Sequence, residues 1–145
     1  MSIRRSSRSR RSRVCALQML YQWEVSKEPP AGVKETYWRQ VNVKGPQREF
    51  ADELFDAATA EVAELDAIIR AHTRRWRLER LAAVDRNLLR LALTEFRHHP
   101  QTPPAVVINE ALEIAKLFSG DESLEFLNGV LDSVRKEQKA VGSRQ

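Results

Sequence analysis

Residues 84–96 read VDRNLLRLALTEF, and this stretch decides the fold class. Its apolar side chains recur at intervals of three and four residues, as they do along one face of an α-helix: Val84, Leu88, Leu91 and Ala92 share a face with Glu95, flanked by Leu89, Leu93 and Phe96. The pattern predicts a helix that ends at His98-His99-Pro100, because histidines suit the negative end of a helix and proline cannot continue it.

The same spacing recurs through most of the chain. Apolar repeats occupy residues 14–25, 47–72, 104–118 and 123–134, and in the first of them Tyr21 and Val25 fall on the apolar face. Gly45-Pro46 precedes the longest repeat, which predicts one helix as far as His72, about 39 Å long at 1.5 Å per residue. A basic connector at residues 73–77 follows, and no segment shows the alternation of a β-strand.

We therefore predict an all-α fold of two packed three-helix bundles. They form a single domain at residues 14–138, with halves at about 14–75 and 76–138, preceded by a disordered arm at 1–13 and followed by a frayed tail at 139–145. A length of 145 residues suits one domain, and 42% hydrophobic and 30% charged residues are ordinary for a globular protein. No stretch of 18 residues is free of charge, which argues against a membrane span. The single cysteine, Cys15, lies in an apolar run and suits a reducing cytoplasm.

Charge is divided unevenly between the arm and the rest of the chain. Residues 1–13 hold six basic side chains and no acid, whereas the other 132 residues hold 18 basic and 20 acidic ones, so the net charge of +4 combines +6 with −2. An arm of this composition cannot bury a core and is expected to stay disordered until it meets a partner. The arginines are Arg4, Arg5, Arg8, Arg10, Arg11 and Arg13.

A polyanion is the first hypothesis for the partner of the arm, because the arginine fork binds phosphate and its flat cation stacks on bases. Gln18, Tyr21 and Trp23 follow directly and favour single-stranded RNA over duplex DNA, although both aromatic residues also suit a core. A solvated tail and an organellar targeting peptide are alternatives. The targeting alternative is disfavoured because the arm runs straight into an amphipathic helix.

Catalytic signatures are scarce. The five glycines are dispersed, so no phosphate-binding loop is present, and three histidines with one cysteine give little for a zinc site. Glu95 and His98 form one Glu-x-x-His motif, whereas a di-iron bundle requires two. Cys15 lacks activating neighbours other than Arg13. The sequence does not predict an enzyme, a metal or a cofactor.

Four blocks of sequence together resemble one known family. They are RRSRVCALQMLYQWE at 10–24, WRLERLAAVDRNLLRLALTEF at 76–96, VINEALEIAK at 107–116 and FLNGVLD at 126–132. In this order they resemble the transcription antitermination factor NusB family, over roughly residues 8–135. The resemblance implies an all-helical fold of two three-helix bundles, in agreement with the periodicity.

The resemblance also implies a function. It implies a non-enzymatic protein that binds boxA-type RNA of ribosomal RNA leader transcripts together with the ribosomal protein NusE, in an antitermination complex with RNA polymerase. Carried over by position, the implied RNA surface comprises Arg10, Arg11, Arg13, Gln18, Tyr21, Glu122, Ser123 and Phe126. Asp85, with Glu79 nearby, is implied to face NusE, as acids would for a basic ribosomal protein.

The chain departs from the family pattern at several positions. Arg4, Arg5 and Arg8 extend the arm beyond the family block, and Thr73 replaces an aromatic residue that contributes to the RNA surface. Glu122 places a negative charge beside the implied phosphate path, which weakens binding unless it accepts a hydrogen bond from a base. Four positions that match the family are interpreted as structural, with Gly129 allowing a close helix approach (Asn109, Glu110, Asn128 and Gly129).

Two further hypotheses remain open. One is an RNA-docking domain related to RNA methyltransferases, which is disfavoured because the chain ends at Gln145 without room for a catalytic domain. The other is an adaptor that binds only protein. The preferred RNA sequence and the choice between monomer and homodimer also stay open, since Tyr37 and Trp38 suit either a dimer face or a core.

Overall fold

The computed structural model describes residues 9–73 and 78–143, with side chains described as far as residue 138. Within those residues the chain forms seven α-helices, one 3-10 turn and no strand, so the all-α prediction is confirmed. None of the helices in this part of the chain is long and apolar enough to cross a membrane. The helices are α1 (Arg10–Ser26), α2 (Pro30–Gln40), α3 (Pro46–Ala60), α4 (Val62–His72), α5 (Ala83–His98), α6 (Pro104–Phe118) and α7 (Asp121–Ser143), with the 3-10 turn at Leu78–Arg80.

The first compact unit ends at Glu61 and contains α1, α2 and α3. Helix α1 packs mainly against α3, and both contribute to an apolar core that includes Cys15, Met19, Leu20, Leu54 and Phe55. Tyr37 is buried in this unit, and the indole nitrogen of half-buried Trp38 donates a hydrogen bond to Asp52 at 2.8 Å. Both aromatic residues therefore belong to the internal packing of the unit.

Helix α1 begins within the predicted arm. The prediction of disorder through Arg13 is wrong for residues 10–13, which form the first turn of α1. The hydroxyl of Ser9 accepts a hydrogen bond from the backbone N–H of Ser12 at 3.2 Å, which caps the helix. Ser12 and Arg13 are buried, so tertiary packing stabilises this turn. Arg4, Arg5 and Arg8 lie outside the described residues.

The predicted single helix at 47–72 is also wrong, because the chain breaks between α3 and α4. The hydroxyl of Thr59 donates to the carbonyl oxygens of Phe55 at 3.0 Å and Asp56 at 3.1 Å, contacts that bend helices. Glu61 then leaves the helical conformation, with φ −111° and ψ 18°. The boundary between the two compact units lies at this break, rather than at the predicted position near residue 75.

The second compact unit contains α4 to α7, and α5 lies at its centre. Ten residues of α5 are buried, including the charged residues Asp85, Arg90 and Glu95. The guanidinium of Arg90 donates to both carboxylate oxygens of Asp66 on α4, at 2.8 and 2.9 Å, and also to the side-chain oxygen of Asn87 at 3.0 Å. Fraying at 139–145 is wrong for residues 139–143, whose backbone continues α7.

Replacing Asp66 with alanine is expected to lower the free energy of unfolding by about 3 kcal/mol, because it leaves the buried Arg90 without its carboxylate. The matched control is Glu64→Ala, which removes an exposed partner of Arg97 held at 2.8 Å and is expected to cost less than about 1 kcal/mol. Urea denaturation followed by circular dichroism measures both values. An equal loss of unfolding free energy in Asp66→Ala and Glu64→Ala would contradict the prediction that the buried Asp66–Arg90 pair contributes more than the exposed Glu64–Arg97 pair.

Candidate nucleic-acid interface

Helix α1 presents a line of exposed side chains along one side. Arg10, Arg11, Gln18, Tyr21 and Val25 are exposed, and their spacing places them within about 100° of arc around the helix. They extend over about 22 Å at 1.5 Å per residue. We call these five residues the α1 stripe. It combines two cations, an amide and an aromatic ring that is 51% exposed.

The side chain of Gln18 is fixed by a hydrogen bond from the buried residue Tyr37. Its carbonyl oxygen accepts a hydrogen bond from the hydroxyl of Tyr37, although Gln18 itself is exposed. Burial, together with a hydrogen bond to Cys15, raises the pKa of Tyr37 above its usual range. Tyr37 therefore stays protonated and remains a donor, which orders the amide of Gln18 before any ligand arrives.

Arg13 does not belong to the α1 stripe. Its side chain is buried, 6% exposed, and its guanidinium lies over the ring of Phe50, 5.5 Å from the centroid. A cation over an aromatic face contributes to stability, and the aliphatic stem of arginine packs as an apolar group. Of the three arm arginines predicted for RNA in the described residues, the structure therefore exposes Arg10 and Arg11 and buries Arg13.

Arg13→Ala is expected to lower the free energy of unfolding by about 1–2 kcal/mol, because it removes both the cation–π contact and the buried stem. Arg11→Ala removes an exposed arginine two residues away and is expected to change stability by less than about 0.5 kcal/mol. Thermal unfolding of the two variants checks the difference. A stability loss confined to Arg11→Ala would contradict this assignment.

The second unit carries a cleft of about 190 Å³ between the start of α5 and the start of α7. It brings together Glu122, Ser123 and Phe126, which the sequence predicts for RNA, with Asp85, which it predicts for the protein partner. The other residues that line it are Arg80, Leu81 and Ala82. Sequence patterns gave no reason to include Arg80, which reaches the cleft from the 3-10 turn.

Asp85 is engaged inside the protein. It is 7% exposed, and its carboxylate accepts hydrogen bonds from the hydroxyls of Ser123 at 2.9 Å and Ser119 at 3.3 Å. These bonds join the start of α5 to both sides of the turn between α6 and α7. Glu79, by contrast, is exposed and pairs with Arg70 at 3.0 Å. Of the two acids predicted for the partner, only Glu79 lies on the surface.

Three other positions differ from the sequence predictions in their burial, exposure or packing. Thr73 is buried, and its hydroxyl donates to the carbonyl oxygen of Ile69 at 2.8 Å, so it does not belong to a binding surface. Val25 is 65% exposed, although the apolar pattern places it with the core. The prediction that Gly129 allows a close helix approach is wrong, because a Cβ atom added there would meet nothing within 4 Å.

The described residues contain no cluster of three or more histidine, cysteine, aspartate or glutamate side chains arranged to hold a metal ion. The α1 stripe instead presents two cations, an amide and an aromatic ring in a line along one helix. Cations that meet phosphate and rings that stack on bases are the features of a nucleic-acid-binding surface. The described part of the chain is thus an α-helical protein whose α1 stripe carries groups suited to contact nucleic acid.

Comparison with known proteins identifies the family. The model of the NusB family matches residues 10–136. The transcription antitermination protein NusB of Koribacter versatilis is 48% identical over 141 residues, which are 97% of this chain and 96% of that protein. The structure of T. maritima NusB superimposes with a TM-score of 0.80 and 31% identity, covering 88% of this chain and 90% of that one.

A second solved structure contains a chain of similar fold. The structure of the antitermination factors NusB and NusE in complex with dsRNA matches with a TM-score of 0.81 and 29% identity, covering 88% of this chain and 96% of that one. The chain belongs to the NusB family.

Proposed function

We propose that the chain is an RNA-binding transcription antitermination factor that binds boxA-type RNA of ribosomal RNA operons together with the ribosomal protein NusE. Membership of a family of antitermination proteins supports this function and confirms the prediction that the chain is not an enzyme. A related NusB structure contains both NusE and RNA. The α1 stripe is the observation in this chain that carries the proposal, because it presents groups suited to RNA on a fixed scaffold.

The α1 stripe contacts the RNA backbone and bases with different side chains. Arg10 and Arg11 bind phosphate oxygens, and Tyr21 offers an exposed ring on which a base stacks. Gln18, held by Tyr37, presents its amide to a base edge. Arg13 contributes by fixing the first turn of α1 rather than by touching the RNA.

The cleft of the second unit gives a second place for RNA. Phe126 is half-buried there and provides a stacking surface, with Arg80 lining the same cleft. The hydroxyl of Ser123 donates to Asp85, so towards a ligand it acts as an acceptor. Glu122 is exposed at the rim and repels phosphate.

NusE is proposed to bind the second unit at the surface that carries Glu79. Glu79 is exposed there and suits a basic ribosomal protein, whereas Asp85 acts by holding the turn between α6 and α7. The resulting assembly is proposed to work within an antitermination complex with RNA polymerase, which places the protein in the cytoplasm.

Replacing both Arg10 and Arg11 with glutamine is expected to weaken binding to boxA-type RNA and to lower the log–log salt slope by about 1.4, at about 0.7 per phosphate of single-stranded RNA. The double substitution is preferable to deleting residues 1–13, which would also remove the Ser9 cap and the first turn of α1. Fluorescence anisotropy at several salt concentrations measures the slope. Lys34→Gln, which removes an exposed ion pair with Asp56, is the matched control.

The same titrations separate the alternatives. Tighter binding of single-stranded boxA RNA than of a duplex of equal length supports recognition of exposed bases by Tyr21 and Gln18. An unchanged affinity in the arginine variant would refute the role of the α1 stripe. Failure of the unsubstituted protein to bind RNA at physiological salt would favour the adaptor that binds only protein.

Glu122→Gln is expected to strengthen RNA binding by roughly two- to five-fold, the effect of removing one exposed repulsive charge. Glu49→Gln, which removes an exposed carboxylate from α3, serves as the control and is expected to change the affinity less. The measurement is RNA affinity at low and physiological salt. Weaker binding by Glu122→Gln would instead mean that the carboxylate accepts a hydrogen bond from a base.

A further inference from the structure

The hydroxyl of Tyr37 determines which atoms of Gln18 face a ligand. In an amide side chain the oxygen is the acceptor, whereas the nitrogen carries two donor hydrogens. The oxygen of Gln18 accepts the hydrogen bond from Tyr37. Among the described residues the nitrogen of Gln18 has no hydrogen-bond partner, and the side chain is exposed. Gln18 therefore presents its donors at the surface of α1, while its acceptor faces the protein.

The other neighbour of the Tyr37 hydroxyl favours this orientation of the amide. Tyr37 is buried, and Cys15 is a second hydrogen-bonding neighbour of its hydroxyl. A thiol is only a weak donor and a weak acceptor, so the phenol hydrogen forms its stronger bond with the amide oxygen of Gln18. Burial raises the pKa of Tyr37, so this hydrogen is retained. Turning the amide around would exchange the stronger bond for a weak one to sulfur.

The ring of Tyr37 is fixed by contacts of its own. It packs edge-on against Trp38, with ring centroids 4.9 Å apart and ring planes at 77°. The indole nitrogen of Trp38 donates to Asp52 on α3, and the guanidinium of Arg48 lies over the indole, 5.0 Å from its centroid. The hydroxyl that holds Gln18 therefore belongs to the internal packing of the first unit, and its position does not depend on a ligand.

An exposed ring lies next to the fixed amide. Gln18 and Tyr21 are three residues apart, which makes them neighbours on the surface of α1. Tyr21 is 51% exposed, and a base that stacks on its ring makes a contact that every base can make. Stacking therefore supplies affinity without selecting a base. Selection at this position falls to the amide of Gln18, which meets the edge of the base.

We propose that Tyr37 is a positioning residue that makes Gln18 select keto bases, uracil or guanine, over the amino bases cytosine and adenine. Uracil and guanine carry an acceptor oxygen at the position where cytosine and adenine carry an amino group. The outward N–H groups of Gln18 donate to that oxygen, whereas they would meet the amino group donor to donor. The inference rests on the proposed function and deepens it, because it names the class of base that the α1 stripe recognises.

The experiment measures, by fluorescence anisotropy, the affinity of the full chain for boxA-type RNA in which each uridine is replaced in turn by cytidine and each guanosine by adenosine. At one position the unsubstituted chain is expected to lose roughly three- to ten-fold in affinity, the effect of one lost hydrogen bond. Tyr37→Phe is expected to reduce that loss to less than about two-fold, because the released amide can turn its oxygen outward. Trp38→Phe, which removes the neighbouring indole donor on α2, is the matched control and is expected to keep the loss unchanged.

A second variant reverses the preference and so separates it from folding. Gln18→Glu replaces the donors with a carboxylate that only accepts, so one oxygen takes the hydrogen of Tyr37 and the other faces the base. This variant is expected to bind RNA more weakly overall, because its charge repels phosphate, and yet to favour the amino base at the same position. Tyr21→Ala is expected to lower the affinity for keto and amino bases alike and to leave their ratio unchanged.

Other outcomes overturn the inference in distinguishable ways. A keto-to-amino ratio that Tyr37→Phe leaves unchanged at every position would refute the role of Tyr37, while the proposed function stands. An equal loss of the ratio in Trp38→Phe would assign it to the packing of α2 rather than to the Tyr37 hydroxyl. A ratio that Gln18→Glu does not alter would place base selection elsewhere in the molecule. No RNA binding by the unsubstituted chain would refute the proposed function together with the inference.

Discussion

Burial of helix α5 is the constraint on which the second unit depends, since the charged groups along it must find partners inside the protein. Arg90 is paired with Asp66 in a two-pronged contact that joins α5 to α4. Asp85 is paired with two serine hydroxyls that join α5 to the turn between α6 and α7. The buried polar groups therefore fix the positions of the helices that carry the cleft, and packing of leucines alone would specify those positions less strictly.

Burial also separates the roles of the arginines at the start of α1. Arg10, Arg11 and Arg13 lie within one turn of α1, yet only Arg13 faces the core and covers Phe50. Helical geometry turns neighbouring side chains by about 100° per residue, so a run of arginines cannot all face one ligand once it is helical. An arginine-rich segment that is uniform in sequence thus divides into a residue that packs against the core, Arg13, and residues that are exposed at the surface, Arg10 and Arg11.

Much of the fold was predictable from the sequence because apolar spacing and proline positions report helices directly. The α5 segment and the start of α6 after Pro103 agree with the predicted pattern. The break at Glu61 was not predictable, since Thr59 and Glu61 are ordinary residues in helices and the apolar spacing continues across them. The start of α1 at Arg10 was missed because the arginine- and serine-rich composition predicts disorder. Ser12 and Arg13 are nevertheless buried, and their burial depends on tertiary contacts that cannot be predicted from composition.

In the candidate site, too, the sequence predicted residue types but not which side chains are exposed. Residue types identified cations and aromatic rings suited to RNA, but exposure decided which of them a ligand can reach, and Val25 was assigned to the wrong side of α1. Asp85 is the most instructive position, because an acid near a basic partner suggests direct contact while the structure buries it beneath a turn. Its carboxylate accepts hydrogen bonds from the hydroxyls of Ser119 and Ser123, which lie on either side of the turn between α6 and α7. A sequence match can thus point to an acid for a binding surface while the structure shows that acid buried and hydrogen-bonded within the protein.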